Sequence, residues 1–250
     1  MTDDAYTDFA DRYDLFFDSF GEHTDEVVAF FGGLLKENCV ESLLDCACGT
    51  GHDLVMFHRL GLEVFGSDAS RAMLTKAEQN LSGLGLSIPL RQVDYRMLNQ
   101  SYRRSFEAVV CLSSAILEMP DEDEVIRALA SMRSVLADRG VLIISQGTTD
   151  KQWAEKPRFV LVVNKADFSR VFVIDYVDEG AKYNVLDVFH GEHGWDLKVW
   201  TGHYRIMLLR DDYERLLRHA GFGRVEFYGS YSAKPYSKSL SNLLIAVAHK

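Results

Sequence analysis

Residues 43–54 read LLDCACGTGHDL. A short apolar run ends in Asp45, then Gly49 and Gly51 flank a threonine, and helix-forming sequence follows. A strand that passes through a glycine-rich turn into a helix presents main-chain N–H groups at the helix N-terminus, where an anionic or polar ligand fits. A dinucleotide-binding turn would read G-x-G-x-x-G. Here Leu54 stands in place of the third glycine, which allows close helix–strand packing beneath a pyrophosphate. The turn therefore points to a nucleotide-like ligand other than NAD or FAD.

Around this turn the sequence alternates between strand and helix patterns. Strands are predicted at 41–46, 63–68, 88–93, 106–112 and 140–146, and helices at 51–60, 70–82 and 121–137. That order argues for βαβ units and a parallel sheet covered on both faces. Upstream, Tyr6, Phe9, Tyr13, Phe16, Phe17 and Phe20 recur every three or four residues, opposite Asp8, Asp11, Asp14 and Asp18. This spacing predicts an amphipathic helix over 5–20, and a second helix covers 24–37.

Beyond Gln146 the pattern changes. Segments 158–164, 170–177, 183–190 and 195–208 are rich in β-branched and aromatic residues and read as inserted antiparallel strands. A helix at 210–220 stops at Gly221. Strands 222–229 and 242–249 are too close for a crossover helix, so they form a hairpin with one strand antiparallel to the rest. The expected fold is α/β: a mostly parallel seven-stranded, Rossmann-like sheet with an inserted antiparallel lid. The chain is expected to form one domain over 1–250. It comprises a helical cap at 1–40, a ligand-binding core at 41–146, the insert at 150–208, and a closing helix and hairpin at 209–250.

With 250 residues, one sizeable core is the natural expectation. The net charge is −10, which disfavours broad contact with nucleic-acid phosphates. MTDDAYTDF is acidic where a signal peptide is basic and then apolar, and no run is long enough to span a membrane. A cytoplasmic enzyme with a small-molecule partner is expected, as monomer or homodimer. The four cysteines lack the spacing of a zinc site, so they read as buried thiols and no metal is expected.

The D-x-A-x-G-x-G pattern of Asp45, Ala47, Gly49 and Gly51 resembles the glycine-rich motif of class I S-adenosylmethionine-dependent methyltransferases. The companion motifs follow in order. EVFGSD ends in Asp68, beside Ala69, where the resemblance implies an acid that takes both ribose hydroxyls. In RQVDYRML the resemblance implies that Asp94 lies near the adenine, with Tyr95 or Arg96 beside the ring, and FEAVVCLSSAILEM, with Leu112, resembles the segment that lines the methionine side. The aromatic N-terminal segment, with Tyr13, would close over the cofactor. Within this class the chain is similar to glycine, sarcosine and sugar-amine N-methyltransferases, which implies a small amine as methyl acceptor. Two other readings remain: a methyltransferase of RNA or protein, and a non-catalytic S-adenosylmethionine-binding sensor or partner subunit.

The chain departs from the glycine methyltransferases at two places. Ser114 replaces an asparagine, and Gly147, Thr148, Thr149 and Asp150 stand where that group has Arg-Asn-Tyr-Asp. Glycine cannot supply the paired donors that grip a carboxylate. Arg158 is a candidate substitute. His190 and His193 at one turn of the insert, and Tyr204 on its last strand, are the other candidate catalytic residues, since a neutral imidazole can accept a proton from an acceptor.

Overall fold

A computed structural model describes residues 4–177, 180–192 and 194–250. Eleven strands are found among them, and β1 (Ser42–Asp45), β2 (Glu63–Asp68), β3 (Leu90–Gln92), β4 (Phe106–Cys111) and β5 (Leu136–Gln146) build the core. The helices between them are α3 (His52–Arg59), α4 (Arg71–Gly83), α5 (Leu98–Ser101) and α6 (Glu122–Ser134); α1 (Ala10–Tyr13) and α2 (Asp25–Glu37) precede β1. After α7 (Asp150–Glu155) come β6 (Phe159–Asn164), β7 (Phe168–Val177), β8 (Gly180–Gly191) and β9 (Gly194–Tyr204). α8 (Arg210–His219), β10 (Val225–Tyr228) and β11 (Leu244–His249) complete the chain.

The main sheet runs β10-β11-β5-β4-β1-β2-β3. β1 to β5 are mutually parallel, while β11 is antiparallel to both β5 and β10. The strand order reverses between β1 and β4, and open α/β sheets bind ligands outside the carboxyl ends of their strands at such a point. β1 is buried along its whole length, as expected for a strand covered on both faces. Helix starts are set locally: the Ser70, Asp121 and Thr24 side chains accept N–H groups at the first turns of α4, α6 and α2. These caps satisfy donors that the helix itself leaves free.

The insert is a four-stranded antiparallel sheet, β6-β7-β8-β9. Register places Arg170 opposite Asp187, Phe172 opposite Val185, Val185 in turn opposite Trp200, and Tyr183 opposite Gly202. These residues share one pleated face. The other face exposes Phe159, Leu161, Trp195, Leu197 and Val199, each more than half accessible.

One sequence expectation fails. In place of a helix over 5–20 there is a turn, the four-residue α1 and a 3-10 turn at Asp14–Phe16. The aromatic period is real, but tertiary contacts claim the backbone. Trp200 Nε1 donates to the Ala5 carbonyl at 2.8 Å, and Arg170 Nη2 donates to the Arg12 carbonyl at 2.8 Å. β5 also begins earlier than expected. Its first residues pair before a register shift, and Arg139 there adopts φ of 65°.

Candidate active site

A cavity of about 730 Å³ opens at the carboxyl edge of β1, β2 and β4, under the N-terminal segment and the insert. That size is ordinary for a small-molecule or cofactor pocket. The glycine turn forms its floor. Gly49 has φ of 52°, and a Cβ built there would meet only a Tyr13 ring carbon, at 4.0 Å, so it would point into the cavity. Gly51, with φ of 88°, does not line the cavity. It starts α3 and packs on Ala77 of α4, whose Cβ a side chain at 51 would touch at 3.4 Å.

Asp68 ends β2 with its carboxylate in the cavity wall. Oδ2 accepts the Gly49 N–H at 2.9 Å and Oδ1 accepts the Ser70 N–H at 2.8 Å. Each oxygen keeps a lone pair for hydroxyl donors. Burial pushes its pKa up to about 6, against the lowering by those two N–H groups. Asp45 lies deeper, outside the cavity lining. Its Oδ1 accepts the Ala47 N–H at 3.1 Å, and burial raises it well above the usual carboxylate range. Its place is to shape the turn.

Ala47, Ala69, Asp94, Tyr95, Leu112 and Tyr13 all line the cavity. Asp94 is already held: Arg96 Nε donates to both carboxylate oxygens at 2.9 and 3.0 Å. Burial alone would raise Asp94, but the guanidinium and the Arg96 N–H hold it below its ordinary value. The Tyr95 hydroxyl donates to the Ala115 carbonyl at 3.0 Å, which ties its ring to the loop after β4. In that loop Ser113 and Ser114 both take positive φ, 57° and 69°. Two consecutive non-glycine residues in this region are costly and cluster at functional sites. Ser145 holds them, accepting the Ser114 N–H on its carbonyl at 2.9 Å and the Ser113 N–H on Oγ at 3.2 Å.

The roof is the N-terminal segment. Asp4 Oδ2 accepts the Ser70 hydroxyl at 2.8 Å and the Ala72 N–H at 3.0 Å, so the chain start caps α4. Phe9 stacks on Trp200 at 4.4 Å with 7° between the rings. Trp200 folds over Gly202, where a Cβ would lie 2.6 Å from the indole. Beneath Phe9 and Phe16, Arg170 and Asp187 form a fully buried, bidentate pair at 2.6 and 2.9 Å that Arg12 also joins. This network fixes the roof to the insert.

The candidate catalytic residues separate. Tyr204 lines the cavity, 4.5 Å from the Tyr183 ring between centroids, and burial raises its hydroxyl strongly. His190 does not reach it; its ring packs on Trp195 at 4.3 Å, at the far end of the β8–β9 hairpin. Arg158 is exposed and pairs with Asp175 at 3.3 Å, also away from the cavity. His193 lies outside the described residues. His190 is therefore not brought to the site, because the hairpin carries it to the opposite end of the insert.

Sequence reasoning missed Glu118, which follows β4 in the 3-10 turn Ala115–Glu118 and lines the cavity. It accepts a hydrogen bond from the Tyr6 hydroxyl. Burial, reinforced by Asp68, pushes it up to about 7. A lone acid inside the apolar run AILEM was the available signal. Also missed was the group His23, His52 and Asp53, whose donor atoms lie within 4.8 Å of one another. These atoms are used by the fold: His23 Nε2 meets Asp53 at 2.7 Å, and His52 Nδ1 accepts the Gly21 N–H at 2.9 Å. Burial lowers His52 to about 4.

Residues 43–140 match the methyltransferase domain family. The whole chain is 28% identical to glycine/sarcosine N-methyltransferase of Halorhodospira halochloris, covering 90% of that relative. An S-adenosylmethionine-dependent methyltransferase from Clostridium acetobutylicum superposes with a TM-score of 0.81 at 18% identity, over 98% of both chains. An amino pentose methyltransferase from Micromonospora echinaspora, with S-adenosylmethionine bound, superposes with a TM-score of 0.70 at 22% identity, over 91% of this chain and 93% of that one.

Proposed function

We propose that this chain, which is a class I S-adenosylmethionine-dependent methyltransferase related to the glycine/sarcosine N-methyltransferases, methylates the nitrogen of a small amine. The bound cofactor supplies a methyl group on a positively charged sulfur, already activated for displacement. The residues of this chain fit it: a cavity where Gly49 leaves room, a carboxylate at Asp68 with free lone pairs, and the aromatic ring of Tyr13 above the turn. In this reading Asp68 takes the ribose hydroxyls, Asp94 and Tyr95 border the adenine, and Leu112 borders the methionine side. Asp45 and Gly51 hold the turn in shape without touching the ligand.

The observation that carries the acceptor class is the lining of the cavity. Among its described residues stand four acids, Asp4, Asp68, Asp94 and Glu118, against one guanidinium, Arg71, and one imidazole, His203. Arg71 begins α4 directly after Ser70, on the cofactor side. A covered, acidic, aromatic chamber suits a small cation and opposes an RNA backbone. It also offers an amino-acid carboxylate no fork of donors on the acceptor side. Methyl transfer then asks the protein for alignment and exclusion of water, which the roof and insert supply. The apolar outer face of β6 to β9 is the kind of surface that a homodimer covers, and light scattering across a concentration series tests that part of the reading.

The test is calorimetric titration with S-adenosylmethionine and its demethylated product, followed by a panel of small amines that includes glycine and sarcosine. Micromolar cofactor binding and methylation of a carboxylate-free amine are expected. Methylation of an RNA or protein substrate, with no small amine accepted, would overturn the reading, and cofactor binding without transfer to any acceptor would favour a sensor.

A further inference from the structure

Among the described residues no cation pairs with the Glu118 carboxylate. It lies at the carboxyl end of β4, on a segment tied to the insert by the Arg205 N–H, which donates to the Leu117 carbonyl at 3.0 Å. Among the described residues its one hydrogen-bond donor is the Tyr6 hydroxyl of the roof. The titratable groups that face it are Tyr6 and Tyr13 from the N-terminal segment, Asp68 from β2, Tyr95, and Tyr204 from β9. None is cationic. An acid held among aromatic rings without a counter-ion is expensive unless something positive arrives. Aromatic faces also favour a cation between them.

Building on the N-methyltransferase reading, we infer that Glu118 is the counter-ion and proton acceptor for the ammonium group of the methyl acceptor, with the Tyr6 hydroxyl positioning its carboxylate. An amine arrives from neutral water largely protonated and has no lone pair with which to attack. On transfer one N–H bond breaks and one carboxyl O–H bond forms. The ammonium becomes a neutral amine and the carboxylate a neutral acid, so charge and protons balance. The acid then returns its proton to solvent once the product has left. A carboxyl that titrates near neutrality is matched to this exchange. Because Tyr6 belongs to the roof, the N-terminal segment takes part in setting the proton acceptor in place.

Three probes on one frame isolate the charge: phenethylamine, 2-phenylethanol and phenylalanine, titrated into protein saturated with S-adenosylhomocysteine. Wild type should bind the amine at least about tenfold more tightly than the alcohol or the amino acid, the scale of one charge-assisted hydrogen bond. Glu118→Gln should bind amine and alcohol alike. The amine affinity of wild type should rise as pH passes upward through about 7, as the carboxyl ionises. Tyr6→Phe removes a donor that lowers Glu118, so it should move that rise to higher pH. A merely structural tyrosine would leave the midpoint unmoved. Equal affinities in wild type, no binding of any probe, or an unchanged preference in Glu118→Gln overturns the inference. S-adenosylhomocysteine binding is measured first in each protein. Its loss in wild type defeats the methyltransferase reading, whereas its retention without a charge preference defeats only the role of Glu118.

Discussion

Replacing Asp68 with Asn changes one atom in the cavity wall and tests the cofactor geometry directly. In the wild type both carboxylate oxygens accept main-chain N–H groups, from Gly49 at 2.9 Å and Ser70 at 2.8 Å. An asparagine has one acceptor oxygen. Whichever way its amide turns, its NH₂ faces one of those donors, and the side chain can no longer accept hydroxyls from both sides. Hydrogen bonds to a charged acceptor are each worth about 1.5–3 kcal/mol. Part of that loss falls on the turn itself in the free protein, and part on the ligand. A net penalty of about 2 kcal/mol on S-adenosylmethionine binding is expected, which raises Kd roughly 30-fold. Calorimetry at pH 7.5 (an arbitrary working value, about one and a half units above the titration) reads it. The wild type supplies a second signature. Its Asp68 pKa is raised to about 6, the carboxylate is the binding form, and protonation removes it, so affinity should fall as pH is lowered through about 6. Asp68→Asn should lack that limb. A Kd within about threefold of wild type in a variant with unchanged circular dichroism would refute the assignment of the ribose to Asp68.

Three further outcomes follow from the same geometry. Gly49→Val puts a branched Cβ into the cavity at a backbone φ of 52°, so cofactor binding should be abolished by calorimetry while the melting profile shows a folded protein. Arg170→Ala removes the bidentate partner of Asp187 and leaves it only Arg12; breaking a buried pair costs up to about 3–5 kcal/mol, with Arg12 offsetting part of it, and urea unfolding reads the loss. Gly202→Ala forces the Trp200 indole, 2.6 Å from the new Cβ, off Phe9. Hydrogen exchange over residues 4–16 should then accelerate, and a protein as protected as wild type would show that Trp200 does not hold the roof.

Most of the main sheet could be read from the chain because its strands are buried on both faces and are punctuated by helices with local caps. The expected limits of β2 match those observed, Glu63–Asp68, because it sits between the Gly61 turn after α3 and the Ser70 cap of α4. The part of the cavity proposed to take the cofactor was readable for the same reason: Gly49 and Asp68 sit at strand ends, and topology alone brings strand ends together. The acceptor half was not. His190 carried the chemistry of a base, but its position along a hairpin, and not its residue type, decided that it packs on Trp195 instead. Arg170 and Asp187 share a face only through the register of β7 on β8, a pairing 17 residues apart that no local pattern announces. The N-terminal helix misled because its aromatic spacing was satisfied by the cavity and the insert, which took Ala5 and Arg12 carbonyls out of any helix ladder.

β11 lies between β5 and β10, so β5 is an edge strand until residues 244–249 have been made. Everything that frames the glycine turn, β1 to β5, emerges from the ribosome earlier as one sequence-contiguous block. The unpaired side of Val141–Gln146 must then wait while the insert and α8 are synthesised. At about 5–20 residues per second that interval lasts roughly 5–20 s. An apolar edge held open for so long is a template for mispairing with another chain. The yield of soluble protein should therefore be governed by translation rate and temperature more than by the final stability of the fold.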